Sequence, residues 1–300
     1  MKITVEETLA STDMTTALTD APYLIYSEIL EGARRPLVFL QVVQEIKDLI
    51  GETGNRYQFL SATHLTATKM TESTMLSSGM TAYDKTFDAV DVSVTDVIES
   101  AVQLSDFLKE DFPKIDFIQS HLNNMGKAVM EYLDAYVYSV VKAATGTETY
   151  NAISGLDYDG VIDALTEARD EDWLPNKANP PVLIVSAGVI GGFLKDTTFL
   201  QAARYGPAEV ASMVAGEVGQ LFGGTKVLET SLLSGTGDAY IIFPNNQNGI
   251  VVGLVWKREL KVTNIYVPQN GYTYFNTSIR ATPVVVQAKG IVKISITGSP

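Results

Sequence analysis

The sequence contains no cysteine, so disulfides, thiolate metal sites and cysteine nucleophiles are excluded at once. It has only two histidines, His64 in a polar stretch and His121 inside a long helical pattern. Imidazoles so far apart in the chain do not build a Ser-His-Asp triad or a His-based metal site. Basic residues are scarce as well: 22 Lys and Arg stand against 35 Asp and Glu, for a net charge of −13. Gripping a phosphate backbone needs clustered cations that release counterions, so no sequence-specific nucleic-acid binding is expected, although enclosing nucleic acid is not forbidden. Long apolar runs are missing too. The uncharged stretch Pro180 to Leu194 falls short of the ~20 residues of a membrane span and contains Gly188, Gly191 and Gly192, so no membrane segment is expected. Met1 to Leu9 carries Glu6 and Glu7 and no apolar core region, which predicts a start in the cytoplasm without a secretory signal. The sequon Asn276-Thr277-Ser278 is then a chance match.

Recognisable chemistry is equally thin. Gly216, Gly219, Gly223 and Gly224 suggest a phosphate loop, yet there is no GxxxxGK[ST], and no GxGxxG follows a strand. Ordinary turn and cap glycines explain them better. Asp170, Glu171 and Asp172 could hold a hard cation, but a solvated helix end is the plainer reading. Glu110 and Asp111 have no partner fixed by spacing. No residue is therefore assigned as catalytic, cofactor-binding or metal-binding, no cofactor is expected, and the chain is not expected to be an enzyme.

What the sequence has is core and length. Its 300 residues, 46% hydrophobic, exceed what a single core usually needs and predict two linked lobes. The dominant pattern is Ile118, Leu122, Met125, Val129, Leu133, Tyr136 and Val140, which predicts a helix from Ile115 to Thr145, roughly 45 Å long. Pro113 precedes it and Gly146 follows it, as helix ends favour. A second row, Val137 and Val141 beside Tyr132 and Ala144, widens the stripe, so this spine is expected to carry more than one packed layer.

Before the spine, Met1 to Ala21 is too poor in apolar residues to fold alone and reads as an arm, followed by a short amphipathic piece (Tyr23, Leu24, Tyr26, Ile29, Leu30) and the apolar segment Leu37 to Ile50. From Asn55 to Ser93 the alternation at Tyr57 and Phe59, and again at Val90, Val92 and Val94, predicts two long strands. Such a ribbon, polar on both faces, has no core of its own and calls either for a surface loop or for completion by a neighbouring subunit. Thr95 to Phe112 predicts helical fragments with Ser105 and Asp106 as caps. After the spine, Gly146 to Gly155 predicts a polar linker. The second lobe alternates: a helix at Asp159 to Arg169, a buried strand at Pro181 to Val185, a helix capped by Ser186, another at Glu209 to Phe222, and short strands at Lys226 to Leu228, Tyr240 to Phe243 and Ile250 to Leu254. Tyr272 to Ile296 predicts strands that pack back on the spine.

In this order of pieces the chain resembles the major capsid proteins of tailed double-stranded DNA viruses, with the Hong Kong 97-type fold. The resemblance rests on the sequence of arm, hairpin, spine and alternating lobe, and on local phrases: Leu104-Ser105-Asp106 leading to Phe112-Pro113; Leu183-Ile184-Val185-Ser186 before Phe193-Leu194-Lys195-Asp196; Gly216 to Thr230; and Ile279-Arg280 ahead of the last strands. It implies an α+β fold with an N-terminal arm (1–35), an extended β-hairpin loop (55–94), a peripheral domain (36–54 and 95–154) with the spine helix at 115–145, an α/β axial domain (155–265) and return strands of the peripheral domain (266–300). It further implies a structural head protein that self-assembles through pentamers and hexamers into an icosahedral shell around the double-stranded DNA genome. A separate scaffolding protein and a portal would be partners, assembly would take place in the host cytoplasm, and the product would be a virion. Lys69 lies in the hairpin, but no Asn partner matches a cross-linking motif, so no cross-linking is expected. Two other readings remain: an encapsulin-like nanocompartment shell, and an α/β enzyme with its site in the second lobe.

Overall fold

A computed structural model of the chain describes residues 37–62, 87–105, 115–152, 156–171, 173, 179–190, 217–221, 225–234, 237–244, 249–269 and 271–296. The arm and its amphipathic piece lie outside these residues. The spine is helix α1, Ile115–Ala143, 29 residues, closed by Gly146 at a φ of 81°. Two sheets share it. The first has four strands, β1 (Gln44–Ile46), β10 (Val252–Val267), β11 (Tyr272–Val285) and β4 (Ile98–Ser105), in the order β1-β10-β11-β4. The second has six: β5 (Glu148–Ala152), β12 (Ile291–Ile296), β9 (Asp238–Ile242), β6 (Val182–Val185), β8 (Thr225–Glu229) and β7 (Glu217–Leu221), in that order. A further pair, β2 (Arg56–Ala62) and β3 (Phe87–Ser93), forms an antiparallel ribbon with Tyr57 opposite Val92 and Phe59 opposite Val90.

The buried row of α1 follows the expected stripe through Met125, Val129 and Leu133 and then passes to the expected second row, Val137 and Val141, while Tyr136 and Val140 are half-buried and Tyr132 is 63% exposed. The reason is helical geometry. Steps of four advance the side chain by about 40° each, so this row winds through about 160° from Met125 to Val141. Its first half therefore packs on the four-stranded sheet, with Leu254, Trp256, Phe275 and Ile279. Its second half, Val137 and Val141, packs into a separate core with Leu183, Ile184, Tyr240, Ile241 and Val292 of the six-stranded sheet.

That second core is completed by helix α2, Tyr158–Asp170, which turns Val161, Ala164, Leu165 and Ala168 inward. It is capped by Asp157, whose carboxylate accepts the Gly160 N–H at 2.8 Å. Strand β6 is buried along its whole length, as a strand flanked on both sides by others requires.

Several expected elements differ. The segment 98–105 is strand, not helical fragments, because Ile98, Val102 and Leu104 alternate towards the spine and pair with β11. The expected linker contains strand β5, parallel to β12; as an edge strand with a half-exposed pattern it lacks the apolar alternation that signals a strand. Residues 217–221 of the expected helix Glu209 to Phe222 are strand β7, at the edge of the sheet and antiparallel to β8, where ladder bonds override a helical propensity already lowered by Gly219. Residues 209–216 lie outside the description. The expected domain limits also shift. Strand β10 pairs from Val252 onward in the sheet under the spine, so the second lobe stops short of 265. The return segment is shared, with β11 in the first sheet and β12 between β5 and β9 in the second.

Candidate functional site

The residues searched for chemistry are not drawn together. His64, Glu110, Asp111, Lys69, Asp172, Gly216, Gly223 and Gly224 lie outside the described residues. His121 sits on α1 and Gly219 within β7. Glu171 accepts from Lys289 Nζ at 2.5 Å, which commits it to an ion pair. Among the described residues no group of three or more Asp, Glu, His or Cys is placed to hold a metal ion. The built feature lies elsewhere, where the β2–β3 ribbon leaves the body.

The ribbon is not coreless at its root. Phe59, Val92 and Val94 are buried with Ile46, Leu49 and Val255 against the face of the four-stranded sheet opposite α1. Strand parity puts them there: Leu254 and Trp256 face the spine, whereas Gly253 and Val255 face the ribbon. Gly253 makes room for the ring, since a Cβ at that position would sit 2.7 Å from Phe59 Cζ. Tyr57 stacks edge-on against Phe59 at 4.9 Å, and its hydroxyl donates to Asp48 at 3.3 Å. Burial, then the Asp48 charge, pushes the Tyr57 hydroxyl above its usual range. The turn leading into β2 is held by Lys257, whose Nζ donates to the carbonyls of Leu49 (3.2 Å), Gly54 (2.7 Å) and Glu52. On the outgoing side Val94 N–H donates to Asn55 O at 2.8 Å, and Arg280 Nη2 donates to Val94 O at 3.0 Å. Sequence reasoning missed Lys257, Gly253 and Arg280; only the glycine within a strand pattern signalled a close approach.

A second anchor fixes the segment on which the arm ends. Asp134 is buried on α1, and its carboxylate accepts the Leu40 N–H at 2.9 Å, at the head of the 3-10 turn Phe39–Gln41. Burial raises its pKa above the usual carboxylate value although the backbone N–H groups of Leu40, Phe39 and Val38 pull it down. Phe39 packs beside it on Tyr138, ring centroids 5.2 Å apart.

Apolar surface remains outside. Leu60, next to the buried Phe59, is 66% exposed. Ile265 and Tyr274 face each other across β10 and β11 and are both exposed, with Tyr272 edge-on to Tyr274 at 4.7 Å. Tyr132 and Val97 border a groove of about 570 Å³ between α1 and the start of β4, with Asp96 and Glu99 at its polar side. Exposed apolar side chains grouped beside polar groups are the kind of surface that contacts with other macromolecules use.

Comparison with known proteins agrees with that reading. A family model described as phage capsid protein matches residues 100–294. No curated protein matches the chain. Among solved structures, one from Mycobacterium phage Che8 is 16% identical with a TM-score of 0.66, over 88% of this chain and 92% of that one. The capsid of the cyanophage P-SCSP1u is 13% identical with a TM-score of 0.67, over 89% and 90%. A virus-like particle from Pyrococcus furiosus is 12% identical with a TM-score of 0.60, over 91% and 98%. These likenesses concern the fold.

Proposed function

Because the chain belongs to the phage capsid protein family, and so is a structural protein of the viral head with the Hong Kong 97-type fold, we propose that its copies close into an icosahedral shell of pentamers and hexamers around double-stranded DNA. The observation that carries this reading is the ribbon. Its root is packed and pinned into its own subunit, while Leu60 beside that root is left open to solvent. A two-stranded ribbon with so little cover is marginal by itself and gains its remaining contacts from a neighbour. Negative-stain images of the purified protein test this: closed particles are expected, and a monodisperse monomer at all concentrations overturns it.

A separate scaffolding protein and a portal complete the assembly in the host cytoplasm, and no catalytic turnover accompanies it. The nanocompartment reading draws support from the virus-like particle of Pyrococcus furiosus, which shares the fold. The family match favours the viral one. Sequencing the contents of purified particles separates them: packaged viral DNA supports a head, and an enclosed cargo protein supports a compartment.

A further inference from the structure

Identical subunits that each carry a net charge of −13 repel one another, so a shell of them must set cations against carboxylates where they meet. Many described cations are already engaged within the subunit. Lys47 is paired with Glu45 and Glu259, Lys127 with Glu131, Lys289 with Glu171 and Lys293 with Asp238.

Arg258 and Arg280 stand apart. They are direct cross-strand partners in the β10–β11 register, at a place where β10 bulges on both sides of Arg258. Side chains directly opposite in an antiparallel pair lie on one face, and like charges so placed repel. Each guanidinium makes one hydrogen bond to a neutral oxygen, Arg258 Nη2 to Ser278 Oγ at 2.8 Å and Arg280 Nη2 to Val94 O at 3.0 Å. Both Nε atoms are buried without an acceptor, and among the described residues neither arginine has a carboxylate partner. Two adjacent planar donors lacking an anion, beside the root of the projecting ribbon, have the donor geometry that receives a carboxylate.

We infer that Arg258 and Arg280 together form a receptor for an Asp or Glu side chain of a second copy of this chain. The pair is a subunit contact at the ribbon root, and the inference rests on the shell reading. An anion seated there, held by the terminal Nη groups, relieves the repulsion between the two guanidinium groups. The lone subunit leaves that cost standing, which biases the chain towards association.

The test uses the full chain. Arg258→Gln with Arg280→Gln should raise the concentration needed for particle formation at least about ten-fold, read by sedimentation, while the far-ultraviolet spectrum stays unchanged. Arg258→Lys, assembled from mixed isotopically light and heavy chains and treated with a carbodiimide, should yield an amide link between that lysine and an Asp or Glu peptide of the opposite label. Links only within one label overturn the inference, as does normal assembly of the double Gln variant. Normal assembly with reduced DNA content overturns it in favour of a phosphate ligand. In both cases wild-type particles still form and the shell reading stands; wild-type protein that never assembles removes both.

Discussion

At Gly253 the absence of a side chain is what lets the tip of the Phe59 ring reach the sheet, and at Asp134 the presence of one is what holds the 3-10 turn Phe39–Gln41 to the spine. Gly253→Val should therefore push Phe59 out of its seat and cost about 1–3 kcal/mol in urea unfolding, as overpacking does. A wild-type midpoint for that variant defeats the account. Asp134→Ala leaves buried N–H groups of the 3-10 turn without an acceptor and should cost about 1–3 kcal/mol. Asp134 also carries a pH signature. Its folded pKa is raised, so the folded state holds the proton more tightly, and its contribution to stability falls as pH rises from the usual carboxylate value through the raised one. Unfolding midpoints measured across that window should decline in wild type, and Asp134→Asn should remove that part of the slope. Neither residue's partner was legible in the sequence, although a glycine within a strand pattern signals a close approach. An aspartate inside an apolar stripe and a glycine in a strand show their partners only when segments about ninety and two hundred residues away fold back on them.

Among the elements, α1 and the ribbon have opposite duties. Helix α1 joins two cores, so Met125→Pro, which removes a ladder bond and clashes with the preceding turn, should cost ~3 kcal/mol or more and lower the thermal transition of the whole subunit. In the proposed shell the ribbon joins subunits. Its packed root consists of Tyr57, Phe59, Val92 and Val94, none of which lies in 63–81. Replacing residues 63–81 by a short Gly-Ser turn should leave the melting transition nearly unchanged, since loop closure varies by only about 0.6 kcal/mol per doubling of length, and should abolish particles. A deletion that unfolds the subunit, or one that still builds shells, refutes this division. Strong periodicity made α1, α2 and β6 legible. Strands β5 and β7 were not, because these edge strands carry little apolar alternation, and β4 was not although Ile98, Val102 and Leu104 alternate, because the ladder partner that makes it a strand lies far along the chain.

For the whole molecule, charge and uncovered apolar surface act against each other. Leu60, Tyr132, Ile265 and Tyr274 are exposed and each subunit carries a net charge of −13; if the proposed shell covers those side chains, light scattering should show assembly strengthened as salt is raised from low to moderate concentration. Assembly that weakens steadily with salt contradicts this and assigns the dominant contact to ion pairs. By itself the sequence determined the absence of thiol chemistry, the acidic balance, the existence of a spine and of a strand pair ahead of it, because composition and local periodicity are properties of the chain alone. The tertiary structure decided which face of the spine serves which core, that β11 and β12 part into different sheets, and that the ribbon is rooted at Phe59. These depend on contacts between residues far apart in sequence, and a local pattern carries no record of its distant partner.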